Sequence, residues 1–268
     1  PIVSSPGPSP DNPSWGPALA IGFWFLSVLL IVTVPALFLA PYALLYPVEG
    51  ADAETVIRSL STDPTAIMIQ IIAVVPAHLL TLLIAWPLVT AGRRYKFFSS
   101  LGWRSGGMAW WHYVLILAGF FVVMAGVGSV FPEQENELTR ILKSSRYAVF
   151  LVAFMATFTA PLVEEVIYRG VLYSALQKAV GMNSAIALVT LLFALVHLPQ
   201  YYPSFSTMFL LTLLSLIRTV IRARTGNLLP CVILHTIFNA FQSLLLIAEP
   251  YIGIGNQAAE TVSAIAVR

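Results

Sequence analysis

Long apolar runs separated by short charged segments set the pattern of this chain. No residue between Asp11 and Glu49 is charged, so positions 15–46 predict a first membrane span. That run exceeds the roughly 20 residues a crossing needs, so the helix must tilt or protrude. An acidic stretch follows at 47–63 (Glu49, Asp52, Glu54 and Asp63, with Arg58), and the uncharged run 64–92 predicts the second span. Arg93, Arg94, Lys96 and Arg104 form a basic loop ahead of a third span at 107–131. Segment 132–146 carries charges of both signs and reads as a short interfacial helix. Spans four to seven are predicted at 147–180, 183–197, 207–221 and 228–248. Pro199 is expected to stop the fifth, and the aromatic loop 200–206 suits a headgroup boundary. The tail 249–268 is expected to include a short helix at most.

The charges also orient these spans. Lys and Arg accumulate on the inner side of a membrane. The loop 93–104, Lys178 and the cluster Arg218, Arg222 and Arg224 are therefore assigned inside, and the acidic loop 47–63 outside. Seven spans then alternate without conflict, with the N-terminus inside and the C-terminus outside.

Composition supports this fold class. Of the 268 residues 58% are hydrophobic and 10% charged, where a soluble domain carries about 25% charged residues. Mean hydropathy is +0.85. No soluble fold of this size hides so much apolar surface. The expectation is an all-α, polytopic transmembrane bundle, integral to the membrane, with a membrane-embedded polar cavity and the bilayer as its first partner. The net charge of +2 gives no reason to expect nucleic acid. The single cysteine, Cys231, excludes an internal disulfide framework and a CxxC metal site. Positions 1–14 are rich in Pro and Ser and read as a disordered tail. No Lys or Arg precedes the first apolar run, so a retained span is expected there rather than a cleavable leader. Segment 15–145 holds the N-terminal transmembrane helices, 146–248 a polar-bearing core and 249–268 a tail.

Ionisable residues at membrane depth cost about 2.5–3.5 kcal/mol on insertion scales and mark functional candidates. Within the apolar spans these are Glu164, Glu165, Arg169, His197 and His235, joined by the amide of Asn239. Positions four apart share a helical face. Glu165 and Arg169 can therefore pair, and His235 and Asn239 project together. Glu164 is rotated by about 100° from Glu165 and is left without that arginine. Glu164 lies 14 residues before Lys178, and His197 lies 14 residues after Asn183, each about 21 Å along a helix. His235 lies 11 residues after Arg224, about 16 Å. Three helices thus bring polar groups to one layer of a hydrocarbon core about 30 Å thick. His78 and His112 stand alone and read as structural. His112, among Trp110, Trp111 and Tyr113, belongs to an aromatic belt.

Such a layer suits peptide hydrolysis, which needs an activated water and donors for a developing oxyanion. A carboxylate in apolar surroundings is a better general base near neutral pH than one in water. A neighbouring histidine can hold the same water, and a second histidine with an asparagine can supply donors. Other readings stay open. Glu165–Arg169 can be a structural ion pair, His197 a helix-end residue bonded to a carbonyl, and His235 with Asn239 interhelical glue. Glu164, His197 and His235 are also a three-ligand zinc set, although H-E-x-x-H is absent. Cys231 shares the stripe of His235 and Asn239, but a cysteine and its base on one helix point in parallel.

The pieces E-E-x-x-x-R (Glu164, Glu165, Arg169), F-x-x-x-H (Phe193, His197) and H-x-x-x-N (His235, Asn239), in that order on successive spans, resemble the CAAX protease and bacteriocin-processing family. That family includes type II CAAX prenyl endopeptidases. The resemblance covers roughly 146–248, and Leu101-Gly102-Trp103 is similar to a turn common there. It implies a glutamate-dependent intramembrane endopeptidase with a conical cavity open to the membrane. Glu164 and His197 would hold the water, His235 and Asn239 would form the oxyanion hole, and Glu165 and Arg169 would support them. No cofactor is then needed. A hydrophobic or lipidated protein or peptide is the expected substrate. The competing expectations are a non-catalytic scaffold or subunit of a membrane complex that keeps the fold, and a proton-coupled transporter. The paired broken helices and inverted repeats of a transporter are not visible.

Overall fold

Helices that are apolar on every side need lipid around them, and the first three long helices of this chain, Pro17–Leu45, Pro64–Thr90 and Trp110–Val130, are of that kind. The computed structural model describes residues 9–252. Ten helices appear among them: α1 (Pro17–Leu45), α2 (Ala53–Thr62), α3 (Pro64–Thr90), α4 (Phe97–Ser100), α5 (Trp110–Val130), α6 (Glu137–Ser144), α7 (Arg146–Val180), α8 (Met182–Tyr201), α9 (Phe205–Thr225) and α10 (Leu229–Ile252). Seven of these, α1, α3, α5, α7, α8, α9 and α10, are long and apolar enough to cross a membrane. Large side chains such as Leu37, Leu83, Val122 and Leu244 are exposed on their outer faces. The chain is an all-α bundle and an integral, multi-pass membrane protein.

Short polar residues start the helices. Asp52 Oδ1 accepts from the Thr55 amide at 2.9 Å, and Asp63 Oδ1 from the Ala66 amide at 2.8 Å, just before Pro64. Asn136 and Thr139 cap each other at the start of α6, and Ser145 Oγ receives the Ala148 amide at 3.1 Å to start α7. α7 is the centre of the bundle, packed against α1, α3, α8 and α10. Its residues Val163 to Leu176 supply much of the main core, with Trp15, Phe23, Leu101, Phe193 and Leu228.

The segments assigned inside meet at one end. Gln177 Nε2 donates to Asp11 Oδ1 at 2.9 Å, and the Arg104 side chain reaches the Gly226 carbonyl at 3.4 Å. Asn227, 3% exposed, locks the loops there by donating to the Arg104 and Gly106 carbonyls at 2.8 and 3.0 Å. At the opposite end Arg146 donates to the Tyr251 hydroxyl at 2.9 Å, and Thr207 reaches Glu133.

Several sequence expectations are corrected. The expected disordered tail 1–14 is structured in its described part. Residues 9–12 form a turn, and Trp15 beside it is buried with its indole N–H on the Val171 carbonyl at 3.0 Å. Residues 1–8, and the tail beyond 252, lie outside the described residues. α8 does not stop at Pro199 but runs to Tyr201. A proline this close to a C-terminus forfeits one hydrogen bond, and the stop comes at Tyr202, which the following Pro203 pushes into an extended conformation. The acidic and basic loops hold helices α2 and α4 that periodicity did not reveal. Arg218 and Arg222, counted with the inner basic cluster, are 1% and 0% exposed. Only Arg224 of that trio is a free surface charge.

Gly102 carries the closest of these loop contacts. Its φ is +73°, and a Cβ there would sit 2.5 Å from the Gly226 carbonyl oxygen and 2.6 Å from Pro10 Cγ. Gly106 has a φ of +86° but open space. Gly102→Ala is therefore expected to lower the melting temperature in detergent more than Gly106→Ala. Backbone strain costs each roughly 1–3 kcal/mol, and only the first adds a clash with backbone. Equal melting temperatures would show that the loop junction is not the tight contact described.

Candidate active site

Two π-helical turns shape α7 around its carboxylates. The first, Met155–Thr159, ends with the Ala160 amide donating five residues back to the Met155 carbonyl. The Ala156 carbonyl thereby loses its ordinary partner. The next candidate, Pro161, has no N–H. Asn239 Nδ2 fills the gap from α10 at 2.7 Å. The second π turn, Val166–Leu172, ends with the Tyr173 amide on the Tyr168 carbonyl. That bond passes over the Arg169 carbonyl, which receives Arg222 Nε from α9 at 2.9 Å. Each irregular turn thus frees a carbonyl that a neighbouring helix satisfies. Glu164 and Glu165 lie between the two turns.

The two glutamates have different surroundings. Glu165 is fully buried. Its Oε1 accepts from Arg169 Nη1 at 3.3 Å and Arg218 Nη1 at 2.6 Å, and lies 3.0 Å from His235 Nδ1. Glu164 has a side chain 21% exposed, although its Oε2 is buried. Its Oε1 lies 4.0 Å from His197 Nε2 and its Oε2 3.8 Å from His235 Nε2. Both separations exceed a direct hydrogen bond. They set the carboxylate between the two rings without direct contact to either. Glu164 Oε2 accepts no hydrogen bond among the described residues.

The F-x-x-x-H spacing has a local cause. His197 Nδ1 lies 2.7 Å from the Phe193 carbonyl, which can only accept. Nδ1 therefore carries the proton, and Nε2 presents a lone pair toward Glu164. The Phe193 ring also lies under two cations, with the Arg169 and Arg218 guanidinium carbons 4.9 and 5.0 Å from its centroid. Arg169 spends its remaining donors on Thr219 Oγ1, the Ser215 carbonyl and Ser215 Oγ at 3.2, 2.9 and 2.7 Å.

The structure therefore brings Glu164, His197 and His235 together, and pairs Glu165 with Arg169. Asn239 lies one turn beyond His235, half-buried, with one amide hydrogen committed to Ala156. His78 ties α3 to the first π turn through Thr159 Oγ1 at 3.0 Å, and His112 stacks on Trp111, as structural residues do. Cys231 Sγ is directed to the Arg218 carbonyl at 3.2 Å. Among the described residues no three His, Cys, Asp or Glu side chains are arranged to hold a metal ion.

Sequence reasoning missed the roles of Arg218 and Arg222. The signal was present: Ser215, Arg218, Thr219 and Arg222 recur at i, i+3, i+4 and i+7 on an otherwise apolar helix. That spacing is an inward polar stripe; reading the arginines as a terminal cluster hid it.

Neither the curated proteins nor the solved structures give a match. Residues 146–241 match the family model described as "Type II CAAX prenyl endopeptidase Rce1-like". The match runs from the start of α7 into α10 and includes every residue of the polar cluster, so over this segment the chain resembles a family of membrane proteases.

Proposed function

We propose that this chain is an intramembrane endopeptidase that hydrolyses a peptide bond in a membrane-associated or lipidated protein or peptide. The observation that carries the reading is the contrast between neighbouring carboxylates. Glu165 is sealed among cations, while Glu164 is partly exposed, has no cation of its own and lies between two imidazole nitrogens.

In this mechanism a water donates one hydrogen to Glu164 and the other to the bare Nε2 of His197. Its oxygen attacks the scissile carbonyl carbon as Glu164 takes the first proton. The carbonyl oxygen becomes an oxyanion, which accepts from His235 Nε2–H and the uncommitted N–H of Asn239. Collapse breaks the C–N bond, and the proton on Glu164 passes to the leaving amine. Glu165, Arg169 and Arg218 hold the rings in place. The water-holding arrangement calls for no metal ion.

Glu164→Gln keeps the shape but cannot take a proton. It is expected to lower kcat by about 10²–10⁴-fold on a quenched peptide ending in a lipidated cysteine motif, with an unchanged melting temperature. Asn239→Ala should cost about 10²–10³-fold. Wild-type turnover by a folded Glu164→Gln protein would end the proposal. Running the same peptide without its lipid tests the substrate class, and equal rates would remove the preference for lipidated chains.

Exhaustive chelation followed by dialysis should leave turnover unchanged. Loss of activity restored by zinc would instead assign Glu164, His197 and His235 as ligands.

A further inference from the structure

We propose that Arg218 is a positioning residue that fixes His235 as the tautomer protonated on Nε2, and so makes it a hydrogen-bond donor facing Glu164. The use of that donor in catalysis rests on the proteolytic reading above; the tautomer does not.

Two groups compete for His235 Nδ1. Glu165 Oε1, 3.0 Å away, can only accept, and would hold a proton on that nitrogen. Arg218 Nη1 also lies against Nδ1 and can only donate, so it requires a lone pair there. The rest of the cluster decides between them. Glu165 Oε1 already takes hydrogens from Arg169 and from Arg218. Arg218 Nη1 carries two hydrogens. With one directed to Glu165, the second lies on the side of Nδ1. A proton on Nδ1 would set two N–H groups against each other where Arg218 cannot retreat: its side chain is 2% exposed, its Nε is on the Leu214 carbonyl at 3.3 Å, and its guanidinium lies over Phe193. A lone pair on Nδ1 removes the conflict, and the proton then sits on Nε2.

The two histidines of the site are in this way held in opposite states by different neighbours. The Phe193 carbonyl keeps a proton on His197 Nδ1, so Nε2 of that ring accepts. Arg218 keeps the proton off His235 Nδ1, so Nε2 of that ring donates. One ring is suited to receive a proton or orient a water, the other to stabilise negative charge. Arg218 also brings a second cation to the two carboxylates, so Glu164 and Glu165 are balanced by Arg169 and Arg218 with both rings neutral.

The test is nitrogen-15 NMR of histidine-labelled protein in lipid nanodiscs, with His235 and His197 assigned from single-site variants. Nitrogen shifts separate bare from protonated ring positions. In the wild-type protein, His235 should show a bare Nδ1 and a protonated Nε2, and His197 the reverse. Arg218→Met, which keeps bulk but has no donor, should move the His235 proton to Nδ1. It should also lower kcat about 10²–10³-fold with KM within twofold. Arg218→Lys, which keeps a donor, should restore the Nε2 proton and most of kcat. A wild-type His235 protonated on Nδ1 overturns the proposal, as does an Arg218→Met spectrum identical to wild type. The wild-type spectrum alone decides if Arg218→Met does not fold. An active Glu164→Gln protein with the expected tautomer would sink the proteolytic mechanism and leave the role of Arg218 standing.

Discussion

A carboxylate with no exposure, inside a bundle that is itself inside lipid, is the constraint from which the rest of this structure follows. Glu165 must find opposite charge within its own protein, because neither water nor hydrocarbon will solvate it. Arg169 comes from the same helix, one turn on, and Arg218 comes from α9. Each arginine then needs acceptors of its own. Arg169 finds Ser215 and Thr219 on α9, and Arg218 finds the Leu214 carbonyl and the His235 ring. One buried acid therefore fixes the rotation of α9 against α7 and brings α10 to both. Removing one partner of such a cluster strands the others and costs about 3–5 kcal/mol, which is why Glu165 reads as a structural support.

Backbone irregularity serves the same arrangement. A π turn passes over one carbonyl, and a carbonyl without a partner in a membrane must be satisfied by protein. The Ala156 carbonyl binds Asn239, and the Arg169 carbonyl binds Arg222. These bonds fix α10 and α9 at the two ends of the Glu164–Glu165 step. Asn239 thereby ties α10 to α7 through one hydrogen of its amide. The loss of Asn239 therefore leaves the Ala156 carbonyl without its partner and disturbs the helix junction.

Much of this was legible in the amino-acid sequence because lipid imposes simple rules. Seven apolar runs gave seven long helices, and the i, i+4 spacing of Glu165 and Arg169 gave their ion pair. The common depth of Glu164, His197 and His235 gave a cluster within 4.0 Å. The errors came where position along the chain and position in space diverge. Arg218 and Arg222 look like the charged end of a span, yet they face inward on a polar stripe that charge counting ignores. Pro199 looks like a helix stop, yet it falls where one lost hydrogen bond is tolerated. The π turns could not be read from residue spacing, since they depend on which carbonyl a distant Asn239 or Arg222 satisfies.

Helices in lipid gain little from burying one apolar surface against another, since the tails are equally apolar. Polar contacts and close packing must hold them instead, and the bundle divides accordingly. α7, α9 and α10 are joined by ion pairs and by side chains on freed carbonyls. α5 has only Phe120 buried and is held by packing on Leu214 and Ile217 of α9 and by aromatic contacts to α10, Phe120 to Phe238 at 5.0 Å and Phe121 to Phe241 at 4.7 Å. The network that binds the inner helices is the one that orients His235, so the fold cannot loosen there without losing the geometry around Glu164. α5 contributes no side chain to that network and meets it only through apolar packing on α9 and α10.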